Sequence, residues 1–254
     1  MRIVILGSGT SSGVPRIGGD WGDCNPANRR NRRRRVSILV EHGAATLLVD
    51  TSPDLREQLL DAGVGRVDGV FYTHDHADHA HGIDDLRALS TNMGRRVDCW
   101  ADAATWAALK SRFGYIFDGS AGYQAFACAH ELGAEHRFGE LLVRPFRQIH
   151  GLIDSVGYRF EAGGRAAAYS TDLNAIPRES EPFLEGLDLW VVDALRRRPH
   201  PTHPHLALTL EWIARFRPRR AVITHMDNTM DYDTLRAELP QGVEPGYDGL
   251  TVEL

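Results

Sequence analysis

Cysteine is scarce in this sequence: Cys24, Cys99 and Cys128 are the only three in 254 residues. Three scattered thiols cannot build a disulfide framework, and the expectation is a reducing, cytoplasmic setting. Long apolar runs are missing too. The opening MRIVILGSGTSSG breaks at glycine after six residues, short of the apolar region of a secretory signal, and no later run reaches the length of a membrane span. No membrane partner is expected. Positive charge is not in excess: net charge is −5 with histidines neutral, so there is no global field for nucleic acid, which is not the expected partner. No internal repeat or low-complexity linker divides the chain. With 43% hydrophobic and 25% charged residues, it reads as one globular domain over residues 1–254.

What is present is a series of short apolar runs bounded by turn residues. They include RIVIL (2–6), VSILVEH (36–42), ATLLVD (45–50), VDGVFYT (67–73), VDCWA (97–101), ELLVRPFRQI (140–149), SVGYRFEA (155–162), AAAYST (166–171), DLWVVDA (188–194), RAVITH (220–225) and LTVEL (250–254). Their length and β-branched content favour strands. Helical periodicity is expected in SPDLREQLLDAG (52–63), with Ser52 as N-cap, Pro53 at the first helical position and Gly63 as terminator. GIDDLRALS, ADAATWAALKSRFG, HLALTLEWIARF and DYDTLRAEL read similarly. Strands come first in pairs and then mix with helices, which fits an α+β arrangement of two sheets packed face to face with helices outside.

The segment FYTHDHADHAHGIDDL (71–86) holds four histidines and four aspartates in sixteen residues. A surface loop needs none of this chemistry, and a core would be destabilised by it, since unpaired charges and imidazoles are expensive away from water. If the segment stays extended, His74 and His76 lie on one side. Asp78 and His79 follow after a turn. Imidazole and carboxylate are proper ligands for zinc, manganese or iron. Four apolar runs also end on a candidate ligand: His74, His150, Asp172 and His225. Strand ends are rigid and can converge on one edge. Asp50, at the end of LLVD, is either an acceptor behind a ligating imidazole or a turn aspartate. His81 lies off the pattern and reads as a surface residue or one behind the ligands.

His74-x-His76-x-Asp78-His79, followed by His150, Asp172 and His225 in that order, resembles the metallo-β-lactamase-fold hydrolases. The resemblance spans nearly the whole chain. It implies a four-layer αββα sandwich with the site at one edge of the two sheets. It also implies two divalent metal ions, zinc or manganese, with iron compatible with the same ligands. His74, His76 and His150 would hold the first, Asp78, His79 and His225 the second, and Asp172 would bridge both. Two adjacent ions supply hydroxide near neutral pH and stabilise the attacking and departing oxygens of a displacement.

Three stretches bear on the substrate. GSGTSSGVPRIGG (7–19) offers small residues whose amides can border a phosphate. RRNRRRRVS (29–37) puts six arginines in seven residues, either a solvated loop or an attractor of anions. RRRPHPTHPHLALTLEWI (196–213) carries His200, His203 and His205, and histidine is the usual proton donor to a leaving alkoxide near neutral pH.

With DTSPDLREQLL and THMDNTMDY, these stretches resemble the branch containing the phosphoribosyl 1,2-cyclic phosphate phosphodiesterase of the carbon–phosphorus lyase pathway. By that resemblance His203, and next His200, would be the general acid, with Asp78 also counted in the catalytic set. The expected function is hydrolysis of a small, nucleotide-like or cyclic phosphodiester. That branch often carries several cysteines after PRIG that bind a structural zinc. Here PRIGGDWGDCNP has Cys24 alone, so no structural zinc is expected, and the substrate is open to another phosphodiester. Two alternatives stand beside this: a nuclease of the tRNA 3′-processing kind, for which no long basic arm is present, and a non-catalytic metal- or nucleotide-binding accessory protein. Related enzymes are commonly dimers, so a homodimer is compatible with the resemblance. Trp100, Trp106, Trp190 and Trp212 read as core residues, and Trp21 lies in a loop.

Overall fold

The computed structural model describes residues 1–254. In chain order the elements are β1 (Arg2–Gly7), β2 (Ser37–His42), β3 (Ala45–Val49), α1 (Leu55–Ala62), β4 (Gly69–Phe71), α2 (Ala77–Ala80), α3 (Leu86–Met93), β5 (Val97–Ala101), α4 (Ala103–Asp118) and β6 (Ala127–Glu131). Then follow β7 (His136–Phe138), β8 (Leu141–His150), β9 (Ile153–Ala162), β10 (Arg165–Ser170), β11 (Leu189–Asp193), α5 (Leu206–Phe216), β12 (Arg220–Thr224), α6 (Tyr232–Glu238), β13 (Val243–Pro245) and β14 (Thr251–Glu253). They build two seven-stranded sheets, ordered β14-β1-β2-β3-β4-β5-β6 and β13-β12-β11-β10-β9-β8-β7.

The pleat explains the layers. Ile3 and Ile5 of β1, with Ile38, Val40, Leu47, Val49 and Phe71, meet Val143, Tyr158, Phe160, Tyr169, Val191 and Val222 of the second sheet. The alternate residues Val4 and Leu6, with Leu39 and Leu48, face Leu55 and Leu59 of α1, Leu89 of α3 and Trp106 of α4. Behind the second sheet, Ala166, Ala168, Trp190 and Val192 pack on Ile213 of α5. Both faces of each sheet are buried, so most strands read as continuous apolar runs rather than as alternating ones. The result is the α+β, αββα order of layers.

Several boundaries differ from expectation. Helix α1 begins at Leu55, with Asp54 at its N-cap position. Ser52 instead donates from its hydroxyl to Gln58 Oε1 (2.9 Å) and accepts from the Asp54 N–H (3.2 Å). Ser52 and Pro53 thus form the turn before the helix. Gly63 ends it at φ 67°, as expected. Strand β4 is only three residues long, and β6, β7 and β13 are strands that patterning missed.

The arginine run is neither a solvated loop throughout nor a free basic patch. Arg33 is 2% exposed and donates to the Met230 carbonyl (2.6 Å), the Asp227 carbonyl (3.2 Å) and Asn31 Oδ1 (3.3 Å), with the Cys24 thiol at 3.7 Å. Arg34 pairs with Asp61, Arg35 with Asp54, and Arg30 lies over the rings of Tyr232 and Tyr247. The run fastens the segment after β12 to the rest of the molecule. No helix is long and apolar enough to cross a membrane.

Candidate metal centre

The topology brings the candidate residues to one edge. Strands β10, β11 and β12 are parallel neighbours, and β8 runs in the same direction because it and β10 are both antiparallel to β9. His150 ends β8, Asp193 ends β11, His225 follows β12 directly, and Asp172 lies two residues past β10. In the first sheet, parallel β3 and β4 lead to Asp50 and His74. Three of the five non-glycine residues with positive φ are Asp50 (64°), Asp172 (53°) and His225 (57°). This conformation is uncommon outside glycine but tolerated best by Asn, Asp and His. It turns the chain sharply at the strand end, and such strain persists where the surroundings over-determine it, most often at functional sites.

Ligand-type atoms of His74, His76, His150 and Asp172 form one group within 4.8 Å of one another, and those of Asp78, His79, Asp172 and His225 form a second. Asp172 belongs to both and offers one oxygen to each. Its Oδ1 lies 3.9 Å from His74 Nε2 and 3.6 Å from His150 Nε2. Its Oδ2 lies 3.0 Å from His79 Nε2 and 3.3 Å from His225 Nε2. Asp78 Oδ2 is 3.5 Å from the same two nitrogens. Two atoms bound tetrahedrally to one ion at about 2.1 Å sit about 3.4 Å apart, so this spacing suits a metal.

The buried polar atoms fit the same conclusion. Nine buried side-chain N or O atoms in the protein lack a hydrogen-bond partner, and five of them are here: His74 Nε2, His79 Nε2, both ring nitrogens of His225, and Asp193 Oδ1. Each such atom costs about 1–3 kcal/mol when nothing binds it. Asp50, Asp172 and Asp193 are three carboxylates no more than 2% exposed, and they require positive charge nearby.

The titration tendencies say the same. Burial works against a charged His79, but Asp172, Asp78 and Asp50 outweigh it and raise its pKa well above the ordinary imidazole value. Burial also opposes charge on His225, but Asp172 and Asp193 lift it to about 9. Burial and the neighbouring His79 hold His74 well below the usual range, in the neutral form that ligates metal. Burial would raise the Asp172 carboxyl, yet His225 and His79 keep it well below its ordinary value.

The outward nitrogens are fixed from behind. Asp50 Oδ2 accepts from His79 Nδ1 (2.7 Å) and from the Thr73 hydroxyl (2.8 Å), and Oδ1 accepts from the Thr73 N–H (2.8 Å). Since that hydroxyl donates to Asp50, its lone pairs face His74 Nδ1 at 3.0 Å. His150 Nδ1 donates to the Thr202 carbonyl (2.8 Å). In each case Nε2 is left for the site, the usual arrangement behind metal-binding imidazoles. Asp50 therefore sits behind His79 and is no mere turn residue. His81 is exposed and lies against Phe113.

Of the three later histidines, His203 reaches the centre. Its ring stacks on His225 (4.7 Å, 17°) and meets His150 edge-on (4.8 Å), and its Nε2 is 3.6 Å from Asp172 Oδ1. Its Nδ1 is 2.9 Å from Asp193 Oδ2. His200 lies one ring further out, 5.1 Å from His203, and its Nδ1 accepts from the Thr202 N–H (3.3 Å). His205 occupies the N-cap position of α5 and belongs to none of the groups of ligand-type atoms. Asp193 was not singled out from the sequence. The available signal was that DLWVVDA is one more apolar run ending on a carboxylate.

The comparisons with known proteins agree with this geometry. Residues 45–226 match the beta-lactamase superfamily domain. The crystal structure of a new diphosphatase from the PhnP family superposes with a TM-score of 0.91 at 36% identity, covering 100% of this chain and 97% of that one. The Zn(2+)-bound PqqB from Methylobacterium extorquens shares the fold, with a TM-score of 0.77 at 22% identity over the whole of both chains. An octanoyltransferase of Porphyromonas gingivalis (strain ATCC BAA-308 / W83) is 31% identical over 257 residues, 98% of this chain but 51% of that protein. The chain thus spans about half the length of that relative. With a family match over most of its length and the sandwich and edge cluster in place, this chain belongs to the beta-lactamase superfamily, as a metallo-β-lactamase-fold hydrolase resembling the PhnP family.

Proposed function

We propose that this protein is a metal-dependent phosphodiesterase acting on a small, nucleotide-like or cyclic phosphodiester. The observation that carries the reading is Asp172, whose two carboxylate oxygens each face a separate cluster, while His203 points Nε2 at the same carboxylate. His74, His76 and His150 would hold one divalent ion, Asp78, His79 and His225 the other, with Asp172 shared. Bound there, a pair of zinc or manganese ions supplies Lewis acidity and a water of lowered pKa.

The chain's own groups do the rest. Asp193 accepts from His203 Nδ1–H, which aims Nε2 at the reacting centre and stabilises the imidazolium, the form that carries a proton on both ring nitrogens. From there His203 gives a proton to the leaving oxygen, as a general acid must from within hydrogen-bond reach. Its stacking on His225 fixes the plane of the ring. A diphosphate bond is the second reading, because a relative at 36% identity is described as a diphosphatase, and each phosphorus of such a bond presents the same charge to the site.

The test is hydrolysis of bis(p-nitrophenyl) phosphate by protein stripped of metal and refilled with manganese or zinc, beside Asp172→Ala. Metal-dependent turnover in the wild type, absent from Asp172→Ala, is expected. No turnover by metal-loaded wild type on this ester and on cyclic nucleotides would overturn the phosphodiesterase reading.

A further inference from the structure

Three imidazoles of the site have a partner behind them: the Thr73 hydroxyl at His74, Asp50 at His79 and the Thr202 carbonyl at His150. His76 has none. It is exposed, its ring nitrogens make no hydrogen bond, and its ring meets those of His74 (4.4 Å) and His150 (5.2 Å) edge-on. Such a ring has to be placed by its backbone. His76 is extended (φ −62°, ψ 151°), so Asp75 turns to the side opposite His74 and His76, away from the metal cluster. There it meets α4. Arg112 donates one guanidinium nitrogen to the Asp75 carbonyl (2.6 Å) and another to the Asp75 carboxylate. The Phe113 ring packs edge-on against His81 (5.3 Å), and the Tyr115 hydroxyl donates to Asp84 Oδ1 (2.9 Å). One turn of α4 thus grips the segment that carries the metal motif at three points.

The turn is shaped for this grip. In a straight helix, side chains at 112, 113 and 115 spread over about 160° of the circumference. Helix α4 is not straight: Phe113 leaves helical geometry (φ −131°, ψ 30°), and Gly114, a residue that tolerates such a change, follows it. The helix is anchored on both sides of the kink, because Leu109 and Ile116 are fully buried in the core outside the first sheet. Arg112 therefore reaches Asp75 from a rigid support. Its ion pair with the Asp75 carboxylate is partly exposed and contributes little by itself. The bond to the carbonyl is different, because that oxygen belongs to the planar peptide joining Asp75 to His76.

We infer that Arg112 is a positioning residue of the metal centre: it holds the Asp75–His76 peptide and so aims the His76 ring, which has no hydrogen bond of its own. The inference rests on the reading of His74, His76 and His150 as ligands of one ion. Its sign sets it apart from simple electrostatics. Removing a guanidinium near a divalent cation should tighten binding by relieving repulsion, whereas losing the grip on His76 should weaken it.

The experiment is calorimetric titration of metal-stripped protein with manganese, on wild type, Arg112→Ala, Arg112→Lys and His76→Ala. The uptake that His76→Ala abolishes identifies the ion in question. Arg112→Ala is expected to weaken that ion about tenfold or more and to leave the other within about twofold. Lysine keeps the charge and one donor for the carbonyl, so Arg112→Lys should recover part of the loss. Unchanged or tighter binding of the His76-dependent ion in Arg112→Ala, or a loss shared equally by both ions, would overturn the inference. Should the wild type show no uptake that depends on His76, the ligand reading is what has failed. The grip is then tested by amide hydrogen exchange in the stripped protein. The N–H groups of His79 and Ala80 are bonded to the His76 carbonyl (3.1 and 3.0 Å). Faster exchange there in Arg112→Ala, with residues 103–111 of α4 unchanged, upholds it, and wild-type exchange at both places overturns it.

Discussion

His203 owes its orientation to two neighbours. Asp193 accepts from one ring nitrogen, and the ring of His225 lies flat against its face. His203→Ala is therefore expected to lower kcat on bis(p-nitrophenyl) phosphate by about 100-fold or more, the usual worth of a positioned general acid, with a smaller change in KM. Asp193→Asn should lower kcat in the same direction, because a neutral amide no longer stabilises the imidazolium that gives up the proton. An unchanged kcat in steady-state measurements of His203→Ala would remove it from the mechanism. At this scale the cluster was largely legible: seven of the residues now gathered at the edge stand in one dense motif or at the ends of apolar runs. Asp193 was not, because a single aspartate closing a strand looks like any turn residue until parallel β11 sets it between Asp172 and His225.

Strand direction and loop clamping decide where those side chains meet. The segment from His74 to Gly82 is tied to the end of β3: the Thr51 N–H donates to the His79 carbonyl (2.7 Å), and the Gly82 N–H donates to the Thr51 carbonyl (2.8 Å). A β-carbon on Gly82 would lie 2.0 Å from the Ser52 carbonyl oxygen, so only glycine permits this approach. Gly82→Ala should destabilise the protein by about 1–3 kcal/mol, as overpacking does, and should weaken metal binding by moving His79 away from Asp50. Urea unfolding and metal titration check both, and wild-type values in both would show that the clamp is dispensable. Strands buried on both faces were legible from their apolar runs. Strand β7 has three residues and no buried position, β13 contains Pro245, and β6 loses its apolar character at His130 and Glu131, so neither length nor periodicity marked them. The start of α1 was misplaced for a different reason: Ser52 spends its hydroxyl on Gln58, a contact that local sequence rules do not contain.

The whole molecule closes by joining its ends to its middle. Strand β14 pairs with β1, and just before it Asp248 turns inward, where its Oδ1 accepts from the N–H and hydroxyl of Ser8 (3.0 and 2.9 Å) and its Oδ2 from the Arg34 N–H (2.7 Å). Burial raises the Asp248 pKa from 3.8 to about 6, and these hydrogen bonds and the Arg34 charge only partly offset it. Because the folded state holds this proton more tightly than the unfolded chain, its contribution to stability is fully present below the unfolded pKa. It is lost as pH rises through the folded value. A shift of about two pKa units corresponds to about 3 kcal/mol, and since Asp248 keeps some contact with water the expected loss is nearer about 2 kcal/mol between about pH 4 and about pH 7. Asp248→Asn cannot ionise. Its amide group facing the Arg34 N–H adds a constant penalty, which leaves the pH dependence as the diagnostic quantity. The wild-type protein should therefore lose ground to Asp248→Asn across that window in urea unfolding series at fixed metal content. A difference that stays flat with pH would mean that Asp248 is ionised in the folded protein at an ordinary carboxylate pKa, and that the closure at Ser8 and Arg34 is an ordinary charged hydrogen-bond network.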